Sequence, residues 1–424
     1  MKSITFPYGK EKLSFDFPDE MLNAVLESSI NSYDPQMSAD ELVENALKNP
    51  IGSPSLGELA KDKEKIVIIA SDHTRPVPSK VIIPPMLREI REANPTADIT
   101  ILIATGCHRG TTKEELISKF GEEIVANEKI YIHDCDEKEK LINIGTLPSG
   151  SVCEINSIAI SADLLISEGF IEPHFFAGFS GGRKSVLPGI AGRKTVLGNH
   201  CAEFIASPFS RTGILENNPI HEDMVWAAEK AGLQFIVNVV LNEDKQVINA
   251  FAGNFKTAHK AGTDFLSSLC GVSTAVSDVV ITTNGGYPLD QNVYQSVKGM
   301  TAAEATVKNG GVIIMLARAN DGIGGDHFYK QMSEEADINV IMETLLKRNR
   351  GETLPDQWMT QILSRILMKA KMIFVSEMED SIVEEMHMIP AHSIEEAITK
   401  AKEILEKDNI TVTAIPDGVS VIVK

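Results

Sequence analysis

The chain has 424 residues, of which 43% are hydrophobic and 23% are charged, and its formal net charge is −19 at pH 7. A chain of this length exceeds the size at which one hydrophobic core usually stops growing, so we expect two domains. The strong negative charge argues against a general nucleic-acid or anionic-membrane surface, and it makes local clusters of basic residues more informative.

The cellular compartment follows from what the sequence lacks. The first residues carry no apolar core of a secretory signal, and no apolar run approaches the roughly 20 residues of a membrane-spanning helix. The cysteines contain no CxxC pair, which argues against a disulfide framework or a cysteine zinc site; they are Cys107, Cys135, Cys153, Cys201 and Cys270. We therefore expect a cytoplasmic protein.

Short apolar runs rich in Val and Ile alternate along the chain with helix-like segments. The runs are continuous rather than alternating, which is typical of strands that are covered on both faces. The clearest runs are 65–70, 99–104, 163–167, 235–241, 278–282, 312–317 and 372–376, and helices are predicted at 113–127, 221–232 and 393–407. This pattern predicts an α/β fold of two domains, with mainly parallel sheets flanked by helices.

A small, polar stretch after Cys270 marks the expected domain boundary. We place an N-terminal α/β domain at 1–270 and a C-terminal α/β domain at 271–424, although the chain could also cross back between them. Ligands of open α/β sheets bind beyond the carboxyl ends of the strands. Four loops with informative side chains occupy such positions, and we expect the active site in the cleft between the domains.

The first loop, at 71–76, follows the first of these strands. Asp72 and Thr74 can cap a turn or helix, and Arg75 would project from the strand end. A guanidinium binds a carboxylate or a phosphate through two parallel hydrogen bonds. The alternative is an Asx turn with a solvated arginine.

The second loop, at 104–110, places His108 in a strand-to-helix turn. Thr112 and Glu115 form a capping box that starts the next helix. Cys107 is a possible nucleophile, but no second feature supports that role, and a single loop histidine is often inert.

The third loop is the segment 174–200, which is rich in glycine and free of acidic residues. His174 and His200 stand at its ends, and the positive charges between them indicate a cradle for an anionic cofactor; they are Arg183, Lys184, Arg193 and Lys194. Residues 178–185 resemble a phosphate-binding loop, but Arg183 stands where the second glycine belongs, which argues against a nucleoside-triphosphate site. The alternative is a glycine-rich surface loop.

The fourth loop, at 284–299, leads from a strand into a short helix. Helical spacing places four polar side chains on one face; they are Gln291, Tyr294, Gln295 and Lys298. Such a face can bind a small polar acid, and the alternative is solvated surface. Trp358 is expected to be a partial core residue, with closure over a pocket as the alternative. Six other histidines lack a supporting pattern: His133, His221, His259, His327, His387 and His392.

Together the loops offer imidazoles, which accept and donate protons near neutral pH. Arg75 and Lys298 can hold a carboxylate, and the segment 174–200 can hold a phosphate. These features indicate a small hydroxy or oxo acid that is processed with a phosphorylated cofactor. Three alternatives are a kinase-like enzyme that uses 178–185, a zinc hydrolase that uses three of the histidines, and a non-catalytic acid-binding protein.

The chain closely resembles the nickel-dependent lactate racemase family over essentially its full length. The resemblance rests on five motifs that are specific in combination: DHTR at 72–75, GCHRG at 106–110, EPHFFAGFSGGRKSVLPG at 172–189, LGNH at 197–200 and NGGYPLDQNVYQSVKG at 284–299. The resemblance implies an isomerase that interconverts D- and L-lactate, or a closely related 2-hydroxy acid. It also implies reversible hydride transfer through a pyruvate-like intermediate.

The same resemblance implies a nickel pincer complex of pyridinium-3,5-bisthiocarboxylic acid mononucleotide, which separate cofactor-biosynthesis enzymes make. By this analogy Lys184 tethers the cofactor as a thioamide and His200 is the protein ligand of nickel. The nucleotide would be bound by the DHTR loop, which consists of Asp72, His73, Thr74 and Arg75.

The roles of the remaining site residues come from the same resemblance. It makes His108 and His174 the acid/base pair. The substrate carboxylate would be oriented by Arg75, Gln295 and Lys298.

Overall fold

A computed structural model describes residues 1–424. Its strands are β1 (Lys2–Tyr8), β2 (Glu11–Phe17), β3 (Leu22–Val25), β4 (Lys65–Ser71), β5 (Asp98–Ala104), β6 (Lys129–Ile132), β7 (Leu141–Thr146), β8 (Val152–Asn156), β9 (Leu164–Phe170), β10 (Pro173–His174), β11 (Gly178–Phe179), β12 (Leu233–Leu241), β13 (Val247–Asn254), β14 (Gly271–Val272), β15 (Ser277–Thr283), β16 (Val307–Leu316), β17 (Lys371–Val375), β18 (Ile389–Ala391), β19 (Val412–Ile415) and β20 (Ile422–Val423).

The α-helices flank these strands. They are α1 (Ala39–Lys48), α2 (Leu56–Ala60), α3 (Ser79–Ala93), α4 (Lys113–Phe120), α5 (Glu122–Asn127), α6 (Ser157–Ile160), α7 (Arg193–Asn199), α8 (Ala202–Ala206), α9 (Pro219–Ala231), α10 (Thr257–Cys270), α11 (Val293–Thr306), α12 (Asp326–Ser333), α13 (Ile338–Lys347), α14 (Gln357–Lys369), α15 (Asp380–Glu385) and α16 (Ile394–Leu405). Every helix is too short or too polar to span a lipid bilayer.

Two six-stranded sheets form the centre of the molecule. The first has the order β13-β12-β9-β4-β5-β6, and the second has the order β18-β17-β16-β15-β19-β3. All neighbours in both sheets are parallel except the edge pair β12 and β13. The predicted α/β class with mainly parallel sheets is therefore confirmed.

The apolar runs became strands because both of their faces are covered. Every residue of β9 and of β15 is buried, as continuous apolar runs predict for the centre of a parallel sheet. The helix predicted at 113–127 is wrong in one respect, since it is two helices. Gly121 lies between them with φ of 90°, a backbone conformation that ends α4 and that glycine adopts without strain.

The chain begins with the β1–β2 hairpin, adds β3 to the second sheet and then crosses to the first sheet. β3 pairs with β19, and Phe6 and Phe17 of the β1–β2 hairpin pack with Val279 and Ile281 of β15. The domain division at 1–270 and 271–424 stays a prediction. One strand of the first range, at residues 22–25, belongs to the second sheet. One apolar cluster includes residues of both sheets, among them Val67 and Phe374, so the two units share buried surface.

Candidate active site

A cavity of about 450 Å³ lies at the carboxyl ends of β4, β5 and β9, and α11 and α14 close its other side. A second cavity of about 760 Å³ adjoins it and shares part of its lining. The first cavity is lined by Asp72, Arg75, His108, His174, Lys184, His200, Gln295 and Lys298. His73 and Thr74 line the second. The residues singled out from four separate loops therefore converge on one cleft.

The carboxylate of Asp72 and the imidazole of His108 are in hydrogen-bond contact in this cleft. The carboxylate is 1% exposed, and its Oδ2 lies 2.8 Å from Nδ1 of His108. The other oxygen, Oδ1, accepts hydrogen bonds from the amide and the hydroxyl of Thr74, at 3.2 and 2.7 Å. Burial opposes ionisation of Asp72, but the hydrogen bonds from His108 and Thr74 outweigh it and hold the pKa of Asp72 below its ordinary value.

Arg75 is exposed at the rim of the cleft, and its guanidinium donates only to the hydroxyl of Thr74, at 3.2 Å. Most of its donors therefore remain available to a ligand. His73 turns aside, with Nδ1 3.1 Å from the hydroxyl of Thr111. The alternative of an Asx turn is also present here, because Asp72 accepts from the amide of Thr74 two residues on.

His174 is held by its own turn. It ends the two-residue strand β10, which pairs with β11, and its Nδ1 accepts a hydrogen bond from the amide of Ala177 at 3.2 Å. Phe175 stacks on the imidazole, and Phe176 meets it edge to face. Burial first, and then the charges of Lys184 and Lys298, hold the pKa of His174 well below its ordinary value, so the ring is neutral.

His200 follows helix α7 and is 6% exposed. Its Nδ1 lies 3.0 Å from the carbonyl oxygen of Val196, which only accepts, so Nδ1 carries the hydrogen and Nε2 keeps its lone pair. Burial and the charge of Lys184 lower the pKa of His200 to about 3. A neutral imidazole whose other nitrogen donates to a carbonyl is the usual form of a metal-binding histidine.

Lys184 lies in a short 3-10 helix at Gly182–Ser185, and its ammonium makes no hydrogen bond or ion pair. The closest aromatic ring is that of Phe176, with its centroid 5.8 Å from Nζ. Burial, Arg183 and Arg75 hold the pKa of Lys184 well below its ordinary value. A buried amine of this kind is more easily deprotonated, which is the form that acts as a nucleophile.

The expectation that the four cations of segment 174–200 form one cradle is wrong, because they do not all face the cavity. Arg183 is 1% exposed and donates to the carbonyls of Phe179 and Ala177 at 2.8 and 2.7 Å, so it stabilises the turn from inside. Arg193 pairs with Asp136 through two hydrogen bonds of 2.8 and 2.7 Å. Lys194 is exposed. Lys184 is the cation of this segment that is free in the cavity.

Gly181 and Gly182 permit this inward turn. Their φ values are 75° and 54°, and a Cβ on Gly182 would lie 2.8 Å from the ring of His259. Asn238 approaches the same turn and accepts from the amide of Gly182 at 2.7 Å. Because these glycines have no side chain, His259 and Asn238 can pack directly against the backbone of the turn behind Lys184.

Helix α11 brings the second sheet's contribution to the cavity. Asn292 caps it by accepting from the amide of Gln295 at 3.0 Å. Gln295 and Lys298 line both cavities, as the helical spacing predicts, whereas Gln291 precedes the helix and lines only the second cavity. Burial and the neighbouring Arg75 lower the pKa of Lys298 to about 8, and the ammonium makes no ion pair.

The sequence pattern missed part of the aromatic wall of the cavity, namely the two phenylalanines beside His174. Trp358 was expected as a partial core residue, with closure over a pocket as the alternative, and it both packs against the core and lines the cavity. Its indole meets His200 edge to face with ring centroids 5.1 Å apart. Phe176 meets His200 from another side at 5.2 Å. The adjacent pair Phe175–Phe176 beside His174 was the available signal, because two consecutive aromatics next to a polar loop residue are unusual for solvated surface.

The geometry also bears on the alternative enzymes. The three cavity histidines do not assemble into a chelating group; the one cluster whose ligand atoms lie within 4.8 Å of one another is Asp134, Cys135 and Asp136. A zinc hydrolase with three histidine ligands is therefore not supported. Since Arg183 fills the turn of residues 178–185 with its own hydrogen bonds, a nucleoside-triphosphate loop is not supported either.

Comparisons with known proteins identify the relatives of this chain. A family model described as the lactate racemase N-terminal domain matches residues 8–213, and one described as the lactate racemase C-terminal domain matches residues 272–423. The chain is 54% identical to a lactate racemase of Thermoanaerobacterium thermosaccharolyticum and 52% identical to one of Lactiplantibacillus plantarum, over 100% of both chains in each case.

Two solved structures extend the comparison. The lactate racemase apoprotein from Thermoanaerobacterium thermosaccharolyticum superimposes with a TM-score of 0.96 at 53% identity, over 100% of both chains. A protein from Thermotoga maritima gives a TM-score of 0.65 at 18% identity, over 92% of this chain and 100% of that one. At that identity the second similarity shows the fold alone.

Proposed function

Because this chain belongs to the lactate racemase family, we propose that it interconverts D- and L-lactate or a closely related 2-hydroxy acid. The observation that carries the proposal is the convergence of two imidazoles, His108 and His174, and two cations without an ion-pair partner, Arg75 and Lys298, on one cavity. These groups match a substrate that has one carboxylate and one hydroxyl.

The residues present fit a tethered nickel cofactor of the pincer mononucleotide type. Lys184 offers a buried amine with a lowered pKa and no acidic partner, which suits a covalent tether. His200 offers a neutral Nε2 to a metal, and a single imidazole suits a planar nickel whose other ligands come from the cofactor. The DHTR loop at 72–75 would help hold the nucleotide. When bound, the cofactor would supply a reversible hydride acceptor, so that lactate passes through a pyruvate-like intermediate.

Arg75 and Lys298 would bind the substrate carboxylate. They reach the cleft from different sheets, and neither is neutralised by a protein carboxylate. Gln295, one turn from Lys298 on α11, would donate its side-chain amide to the same substrate. Two cations and an amide fix the orientation of the acid, which leaves its Cα and hydroxyl to face the histidines.

His108 and His174 would handle the hydroxyl proton. Both line the first and the second cavity, so both reach the cleft where a substrate enters. Two groups suit a racemase, because the hydroxyl points in different directions in the two enantiomers when the carboxylate is fixed. Loss of either imidazole is expected to lower the rate by on the order of 10² to 10⁴.

The test is a chiral assay of a panel of 2-hydroxy acids with the cofactor-loaded enzyme. We expect each lactate enantiomer to be converted to the racemate, and we expect His108→Ala and His174→Ala to lose most of this activity while they keep the cofactor mass. Full activity in either variant would contradict the acid/base assignment. Binding of lactate without turnover would favour the non-catalytic alternative instead.

Two wider expectations belong to the same proposal. The cofactor would be made by separate biosynthesis enzymes, which makes them the partners of this chain. The cytoplasm remains the proposed compartment.

A further inference from the structure

The two histidines of the proposed acid/base pair differ in the group that their Nδ1 atoms contact. His108 faces the carboxylate of Asp72 at 2.8 Å. This carboxyl is 1% exposed, and its pKa is held below its ordinary value, so it is ionised and can only accept. Nδ1 of His108 must therefore carry the hydrogen, and Nε2 of the neutral ring is a bare acceptor.

The contact of His174 has the opposite polarity. Its Nδ1 lies 3.2 Å from the backbone nitrogen of Ala177 and 3.5 Å from that of Phe176. A backbone N–H can only donate, so Nδ1 of His174 must be bare. Because the neutral imidazole carries one hydrogen, Nε2 of His174 bears it.

We infer that Asp72 and the turn at 174–177 hold His108 and His174 in opposite tautomers, which makes neutral His108 a proton acceptor and neutral His174 a hydrogen-bond donor. The catalytic consequence of these two tautomers rests on the proposed function. Asp72 is then a positioning residue that acts through His108, in addition to its expected place in the cofactor-binding loop.

The proton step follows from this difference. The O–H bond of the substrate hydroxyl breaks, its proton bonds to Nε2 of His108, and the electron pair stays on the substrate oxygen. The imidazolium that forms is stabilised by Asp72. His174 meanwhile donates from Nε2 to the substrate oxygen without giving up its proton.

For His174 to act as the proton acceptor instead, the structure around its ring must change. To accept a proton at Nε2, the neutral ring must carry its hydrogen on Nδ1, where it would point at the amide of Ala177. The ring must therefore turn, or the turn at 174–177 must move, each time the enzyme processes the other enantiomer. His108 has no such requirement.

The experiment is two-bond ¹H–¹⁵N correlation NMR of the full chain, with and without cofactor, labelled with ¹⁵N-histidine at neutral pH. We expect the Nδ1–H form for His108 and the Nε2–H form for His174, with signals assigned from His108→Ala and His174→Ala. Two other histidines serve as references in the same spectrum. His200 must show the Nδ1–H form because it donates to Val196, and His133 must show the Nε2–H form because it donates to Ala191. The same tautomer at both 108 and 174 would overturn the inference.

Asp72→Asn tests the positioning role separately. We expect it to shift the ring signals of His108 but not those of His174, and to lower kcat by about 10 to 100-fold, as for other groups that orient a functional imidazole. In a His108→Ala background, Asp72→Asn should lower kcat no further when the rate is expressed per cofactor-loaded enzyme. A further loss in that background would show that Asp72 acts other than through His108, and intact mass would reveal whether cofactor was lost. The NMR experiment observes the tautomers without any turnover. If the two tautomers are found as expected but the enzyme does not racemise lactate, the proposed function is rejected and the tautomer inference stands.

Discussion

The indole of Trp358 meets the imidazole of His200 edge to face, with ring centroids 5.1 Å apart. Trp358 belongs to α14 and His200 follows α7, so the contact closes the cavity from the side opposite β4 and β5. The second tryptophan, Trp226, lies on α9 and does not line either cavity. The fluorescence of Trp358 can therefore report on the cavity, and that of Trp226 can serve as a reference.

Trp358 should report loading of the cavity. In the Trp226→Phe variant, whose emission comes from Trp358, we expect cofactor loading to quench or shift the fluorescence, because a metal-bearing aromatic group would lie beside the indole. In the matched Trp358→Phe variant, whose emission comes from Trp226, we expect little change. Equal responses of the two variants would show that the cofactor binds elsewhere.

Lys184→Ala should abolish covalent attachment of the cofactor. Its amine is buried and free of ion pairs, whereas Lys194 of the same segment is exposed and serves as the control. Intact mass after expression with the cofactor-making enzymes should show the adduct in Lys194→Ala and in the parent protein, but not in Lys184→Ala. An adduct that persists in Lys184→Ala contradicts the tether.

His200→Ala should lose nickel while it keeps the organic adduct, because the tether and the metal ligand are different residues. His392 is exposed and lines neither cavity, so His392→Ala is the control. Metal analysis of the loaded proteins should find nickel depleted by about 10-fold or more in His200→Ala, on the scale of lost ligand interactions. Unchanged nickel content would remove His200 from the metal site.

Substrate capture should weaken as pH rises through about 8. Burial and Arg75 lower the pKa of Lys298 to about 8, so below that pH the ammonium is charged and binds the carboxylate, and above it the charge is lost. We expect kcat/KM to fall on the alkaline side with this pKa, mainly through a higher KM. Lys298→Arg keeps its charge at every accessible pH, so its KM should lose this dependence. A parent profile that stays flat to pH 9.5 would argue against the role of Lys298.

Arg183 should matter for stability rather than for chemistry. Its guanidinium donates to the carbonyls of Ala177 and Phe179. The carbonyl of Ala177 also accepts from the amide of Phe179, so the substitution leaves the carbonyl of Phe179 without its donor, and such a buried acceptor costs about 1–3 kcal/mol. Arg183→Met should therefore lower the free energy of unfolding by about 1–3 kcal/mol, as measured by urea denaturation. The control is Arg88→Met, which breaks an exposed pair with Glu44 and should cost less than about 1 kcal/mol. Equal effects in the two variants would contradict the buried role.

The amino-acid pattern by itself determined the fold class and the positions that reach the cleft. Short continuous apolar runs rich in Val and Ile favour central strands that are covered on both faces, and the loops that follow β4, β5 and β9 then lie at one sheet edge. Asp72, His108 and His174 could be selected for this reason before any contact was known. The motifs added the family and its expected cofactor.

The tertiary structure alone decided how those side chains are used. Whether a ring nitrogen of His108 or His174 carries a hydrogen depends on the atom opposite it, and for His108 that atom belongs to a residue far away in the sequence. The approach of Trp358 to His200 is likewise a long-range contact. Local pattern encodes burial and periodicity, whereas the polarity of a hydrogen bond is set by the partner that folding places there.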